Sequence, residues 1–305
     1  MAKIALVFAG QGAQYSGMGE DLYQSSPAAK KIFDMVDVIR PGTSEQCFRA
    51  TKEELSITEN TQPCLFAVDM ACGAALLEAG VKPEGFAGFS LGEIVALGFS
   101  GMLSYEDAFR LVCKRAQFMQ ESTGQQNGAM AAVFKLTASQ VEDLCQQFQA
   151  LYPVNYNCPG QIVVAGDGDE LTQLMEKVKE QGGKALRLAV SGAFHSPLMN
   201  EAATKLEVYV KEMNFQDPLL PVYSNTTAKP YDDAKYLVAQ QVKNPVLWQT
   251  TIENMIADGF DTFIEAGAGK TLMGLIQKIS SDVAVYHVEN QATLASTLAG
   301  LKEEL

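Results

Sequence analysis

Apolar residues recur along this chain in two rhythms, and their alternation predicts its elements. The chain opens on a continuous apolar run at 4–8, which reads as a buried strand and stops at Gly10-Gln11-Gly12. Helical spacing follows over 16–39 and again over 62–79, where Pro63 stands near the start and Gly80 just past the end. A short strand at 86–89, a helix at 91–99 and a helix at 105–121 come next. Strands separated by helices in this order predict a parallel sheet covered by helices.

The stretch Ser122-Thr123-Gly124-Gln125-Gln126-Asn127-Gly128 is polar and glycine-containing, which marks a linker. The order then changes to strand 130–136, helix 139–148, strands 154–156 and 162–165 around Asn157-Cys158-Pro159-Gly160, helix 170–181 and strand 185–190. This β-α-β-β-α-β order is the ferredoxin-like pattern. Residues 127–191 are therefore expected to form a small inserted subdomain, and 1–126 with 192–305 a larger α/β one. Beyond it, Ala202, Ala203, Leu206, Val210 and Met213 share one helical face. A strand at 221–224, helices at 234–242 and 248–258, a strand at 261–264, a helix from 269 and a last strand at 283–288 resume the α/β pattern.

Composition narrows the function classes. With 305 residues, 47% hydrophobic and 19% charged, the chain can bury one large core or two unequal ones. The opening apolar run lacks a small-residue cleavage site, so it reads as a strand rather than a signal peptide. No apolar stretch approaches the roughly 20 residues a membrane span requires. Six cysteines, at 47, 64, 72, 113, 145 and 158, form no CxxC pair, which points to free thiols and a cytoplasmic location. Two histidines and scattered cysteines offer no ligand set, so no metal is expected. A net charge of −13 without clustered Lys and Arg argues against a nucleic-acid partner.

Against that background, Gly88-Phe89-Ser90-Leu91-Gly92 stands out. A serine with glycines two residues to either side suits a sharp strand-to-helix elbow, which would expose Ser90 as a nucleophile. Ser90-x-x-Glu93 before an apolar run equally fits an N-terminal capping box. A capping box has no use for glycine at both 88 and 92, so the full pattern leans toward chemistry. A serine hydroxyl needs a neighbour to take its proton, and only His195 and His287 are available. His287 lies inside the alternating segment 283–288 and reads as a structural strand residue. His195 precedes Ser196-Pro197, a cap and first position for the next helix, whose positive end would favour the neutral imidazole a base requires.

Arg115 falls on the apolar face of helix 105–121, among Leu111, Val112, Phe118 and Met119. A buried guanidinium should meet a carboxylate: an internal Asp or Glu is the favoured partner, and an acidic substrate group the functional alternative. Two glycine-rich loops fail as nucleotide motifs. Tyr15 occupies the third glycine position after Gly10-Gln11-Gly12, and Ile264 the first one before Gly269-Lys270-Thr271.

Taken together, Phe8-Ala9-Gly10-Gln11-Gly12, Gly88-Phe89-Ser90-Leu91-Gly92-Glu93, Arg115, Gly192-Ala193-Phe194-His195 and Asn244-Pro245-Val246-Leu247-Trp248 resemble the malonyl-CoA:acyl carrier protein transacylases, over essentially the whole chain. The resemblance implies an α/β-hydrolase-like large subdomain with a ferredoxin-like small one. It also implies Ser90 as acylated nucleophile, His195 as its base, Arg115 as clamp for the malonyl carboxylate, and the backbone N–H groups of Gln11 and Leu91 as oxyanion hole. Asn155 and Asn157 match positions lining the substrate cleft, and Leu247 the position whose carbonyl orients the histidine. Malonyl-CoA is the implied substrate and acyl carrier protein, bearing the phosphopantetheine thiol, the implied partner. No permanently bound cofactor is expected, and a monomer is the expected form. Fatty-acid synthesis is the pathway favoured over polyketide synthesis, with a serine thioesterase or esterase and a non-catalytic carrier-binding subunit as rival readings. Three residues depart from the family pattern: Phe89 replaces a common histidine, Ala9 a common proline and Leu247 a common glutamine.

Overall fold

The computed structural model describes residues 2–123, 127–190 and 192–303, so the centre of the proposed linker, 124–126, and Ser191 lie outside the described residues. The strands, in chain order, are β1 Ile4–Phe8, β2 Gly85–Gly88, β3 Gly128–Phe134, β4 Leu151–Cys158, β5 Gln161–Asp167, β6 Lys184–Arg187, β7 Val222–Tyr223, β8 Thr262–Ala266 and β9 Ala284–Val288. They form two sheets. One is five-stranded and parallel, ordered β7-β2-β1-β8-β9; the other is four-stranded and antiparallel, ordered β4-β5-β3-β6. Both agree with the α/β fold class read from the element order.

β1 lies at the centre of the parallel sheet because it has no polar face to offer water. Ala5 through Phe8 are fully buried. Side chains alternate across the sheet, so Leu6 and Phe8 join Phe86 on one face, while Ala5 and Val7 join Ala87, Trp248 and Phe263 on the other. On the first face Phe8 stacks on Phe99 at 5.1 Å.

Local chemistry moves several expected boundaries. The helical stretch at 16–39 breaks into Glu20–Ser25 and Pro27–Ile39, because Ser26 is extended and caps the second helix through the Ala29 N–H while Pro27 opens it. The helix expected at 62–79 begins at Thr58 and runs to Glu78 with Pro63 inside it. β3 ends at Phe134, before Lys135 turns to a φ of 67°. A helix at Gln291–Glu303 follows β9, where no further element was expected. All six cysteines are free. No helix of the described residues is long and apolar enough to cross a membrane.

The second sheet meets the first at one informative place. Val246 donates to Val154 O at 2.8 Å and accepts from Tyr156 N at 2.9 Å, so the extended segment before Trp248 runs beside β4. That junction brings Asn155 and Asn157 toward the C-terminal ends of β1 and β2, the end of a parallel sheet where ligands bind.

Candidate active site

The elbow after β2 is built by backbone contact that only glycine allows. A Cβ on Gly88 would lie 1.9 Å from the Gly92 carbonyl carbon, and one on Gly92 would lie 2.2 Å from Phe8 O. Helix Leu91–Phe99 can therefore sit directly on β1. The turn forces Ser90 to φ 55° and ψ −104°, a conformation that costs a non-glycine residue roughly 1–3 kcal/mol. Asn225 secures it: its Oδ1 accepts from Ser90 N at 2.7 Å and its Nδ2 donates to Gly88 O at 2.6 Å.

Ser90 makes no side-chain cap to its helix, so the capping-box reading falls. Its Oγ instead lies 2.7 Å from His195 Nε2 and accepts from Arg115 Nη2 at 3.0 Å. His195 Nδ1 faces two backbone carbonyls, Gln241 O at 2.9 Å and Asn244 O at 3.2 Å. Both are acceptors, which puts the ring proton on Nδ1 and leaves Nε2 as the lone pair facing Ser90. Burial, helped by the Arg115 charge, lowers the imidazole to about 4, so the ring is neutral at ordinary pH. Among the described residues no carboxylate backs the ring, and Ser90 and His195 stand as a pair.

Arg115 is 1% exposed, and here the favoured expectation of a direct internal ion pair is overturned. Its Nη1 donates to Gln62 Oε1 at 2.6 Å and its Nη2 to Gln241 Oε1 at 2.8 Å. No carboxylate of the described residues lies within ion-pair distance of it. Burial lowers the guanidinium to about 10, still leaving it charged near neutrality. Its buried Nε has no partner. Two neutral carboxamides thus orient the cation without neutralising it, which leaves it receptive to an anion.

A cavity of about 80 Å³ opens on Ser90 and His195, walled by Met119, Met130, Leu188 and Phe194. It shares Gln11, Phe89, Asn155 and Leu188 with an outer cavity of about 210 Å³, which also touches Asn157 and Gln161. Both asparagines are nearly buried, with side-chain oxygens that meet no hydrogen-bond donor. The backbone N–H groups of Gln11 and Leu91 donate to no acceptor among the described residues. Phe89 borders both cavities, its ring 5.6 Å from that of Trp248.

The sequence pattern described as the acyl transferase domain matches residues 5–299. The chain belongs to the acyl transferase family. It is 39% identical over 313 residues to the malonyl CoA-acyl carrier protein transacylase of Bacillus subtilis, covering 100% of this chain and 99% of that one. Among solved structures, the transacylase of the same name from Clostridium perfringens superposes with a TM-score of 0.95 at 39% identity, covering 99% of this chain and 98% of that one. A malonyl-transacylase in complex with its type II polyketide synthase acyl-carrier protein superposes at 0.94 and 33% identity, over 98% of this chain and all of that one.

Within this acyl transferase, one expected position is corrected. Leu247 O is taken by its own helix, accepting from Thr251 N and Thr251 Oγ1, both at 2.9 Å. Gln241 and Asn244 face His195 in its place. Both carbonyls that reach the imidazole lie before Pro245, not after it. Gln241, Asn225 and Gln62 were absent from the sequence reading, although Gln241 carried a usable signal. It is a carboxamide among Leu237, Val238, Ala239 and Val242, the same polar-on-apolar argument that drew attention to Arg115.

Proposed function

We propose that this acyltransferase transfers malonyl from malonyl-CoA to the phosphopantetheine thiol of acyl carrier protein, through a malonyl ester on Ser90, in fatty-acid synthesis. One observation carries the reading: Ser90 Oγ lies 2.7 Å from a neutral imidazole nitrogen and 3.0 Å from an arginine with no carboxylate partner. A nucleophile, a base and a receptor for a free carboxylate meet at one atom.

In the first half-reaction His195 Nε2 takes the Ser90 proton as Oγ attacks the thioester carbonyl. The developing oxyanion is received by the N–H groups of Gln11 and Leu91. CoA leaves as its thiolate and takes the proton from His195. In the second half the carrier thiol gives its proton to His195, attacks the serine ester, and Ser90 recovers the proton as it departs. Arg115 holds the malonyl carboxylate throughout, and the unpartnered oxygens of Asn155 and Asn157 accept from the pantetheine amides. No bound cofactor is required, because both substrates bring their own thiols.

A groove of about 460 Å³ continues from the outer cavity through Gln161 and is lined by the exposed Lys135, Lys184 and Lys278. None of the three forms an ion pair among the described residues. In a chain of net charge −13 this supports docking of an acidic carrier and of CoA phosphates. The separate sheets support the division at 127–191 as a small subdomain closing over the larger one. We place the enzyme in the cytoplasm. The hydrolase reading gains nothing from the pair, because among the described residues backbone carbonyls and no carboxylate face His195 Nδ1.

The test is intact mass after mixing with malonyl-CoA, peptide mapping, then addition of carrier protein. The expected outcome is one malonyl adduct on Ser90 that discharges to the carrier. Free malonate without an adduct would support hydrolysis and overturn the transfer reading.

A further inference from the structure

Glu93 is fully buried, yet it forms no ion pair among the described residues. It sits in the first turn of helix Leu91–Phe99, three residues after Ser90, and lines neither of the two cavities at the site. Oε1 accepts from Tyr231 OH; Oε2 accepts from Gln241 Nε2 at 2.5 Å and from Asn225 N at 3.3 Å. The same Gln241 presents its Oε1 to Arg115 Nη2 at 2.8 Å and donates from Nε2 to Ser90 O at 2.7 Å. One carboxamide therefore stands between a buried anion and a buried cation, its oxygen turned to the cation and its nitrogen to the anion.

We propose that Glu93 is the internal counter-charge of Arg115, coupled to it through the Gln241 carboxamide, and that this bridge keeps Arg115 charged and oriented while sparing it for the acyl carboxylate. The proposal rests on the malonyl-transfer reading above and adds two positioning residues to it. The physical logic is a comparison of three arrangements. An arginine with no anion nearby pays the full cost of burial, and a direct fork-to-fork pair with Glu93 would occupy the donors a substrate needs. An intervening amide lets the charges attract at longer range, is polarised by both, and leaves Arg115 Nε free. The groups facing Glu93 are Tyr231, from the loop after β7, and Arg115, from helix Tyr105–Thr123, with Gln241 and Asn225 as neutral partners. Burial holds the carboxyl up at about 7 even against the opposing pull of its three donors and of the Arg115 charge, so it is mostly ionised at pH 8.

The decisive variant exchanges the two groups, Glu93→Gln with Gln241→Glu. Composition and net charge are kept, as is the backbone carbonyl that meets His195, but the carboxylate now contacts Arg115 directly. At pH 8 the ratio of malonyl-CoA to acetyl-CoA kcat/KM should fall at least 30-fold, because only malonyl needs the arginine. An unchanged ratio, with both substrates slowed alike or not at all, overturns the bridge. Glu93→Gln alone removes the counter-charge while keeping the size of the side chain. At pH 8 it should lower the ratio about tenfold, because Arg115 loses the anion that holds it charged, and an unchanged ratio there overturns Glu93 as the counter-charge. In the wild type the ratio should likewise fall as pH drops through about 7, a dependence that a merely structural Glu93 would not give. Wild-type protein is first tested for the Ser90 adduct. Its absence overturns the transfer reading itself, whereas a normal adduct with an unchanged ratio in the exchanged variant overturns the bridge alone.

Discussion

Ser90 and His195 both adopt positive φ, at 55° and 61°, and each is held there by bonds from distant parts of the chain. Asn225 and Gln241 grip the backbone of Ser90, while His195 N donates to Val242 O at 2.9 Å. The strain is affordable because the surroundings over-determine it, and its effect is a hydroxyl already aimed at its base. The low imidazole value has a measurable consequence. A buried histidine beside a cation resists protonation, so the ring stays neutral until pH falls to about 4, well below the ordinary histidine range. The acid limb of kcat/KM for acetyl-CoA, which does not draw on Arg115, should lie near pH 4; a limb centred near 6.5 would contradict the enclosed site. At this scale Ser90, His195 and Arg115 were legible, since each breaks a local rule: glycines around a serine, a histidine before a cap, a charge on an apolar face. Their partners were not, because Gln241 and Asn225 earn their roles only by meeting residues 151 and 135 positions away.

At the scale of elements, the elbow depends on a helix resting directly on a strand. Gly92→Ala would drive a methyl to 2.2 Å from Phe8 O, against backbone that has no rotamer to escape into. We expect a loss of about 3 kcal/mol or more, read as a lowered denaturation midpoint together with loss of acylation. Gly274 in helix Thr271–Ile279 is the opposite case, since an added Cβ meets nothing within 4 Å. Gly274→Ala should stabilise by about 0.5–1 kcal/mol and leave acylation rates alone. The element order was legible for the same reason that these predictions differ: periodicity records which face of each segment is buried. Boundaries slipped where single residues overrode the rhythm, as at Ser26-Pro27, and the helix over 291–303 was missed because its apolar face is weakly marked.

For the whole molecule, function needs a route from an acidic surface to a half-buried serine. The three cavities joined at Gln161 and at Gln11, Phe89, Asn155 and Leu188 offer one, with lysines at the outer end and, at the inner, Ser90, whose Oγ Arg115 reaches from behind. Replacing Lys135, Lys184 and Lys278 together by Glu should raise the KM for carrier protein at low salt by about tenfold, with the difference shrinking as ionic strength rises. Acylation of Ser90 should persist, and a carrier KM that does not move would place docking elsewhere. The linear order of apolar and polar residues by itself determined the fold class, the elbow, the strand-like setting of His287 and the candidates for nucleophile, base and clamp. These follow from interactions within a few turns of chain. Only the tertiary structure decided that Arg115 meets carboxamides instead of a carboxylate, that Gln241 and not Leu247 faces the imidazole, and that Glu93 stands behind them. Those choices depend on which distant segments cross at the C-terminal ends of β1 and β2, and the geometry of that crossing is set by packing of the complete core rather than by any local pattern.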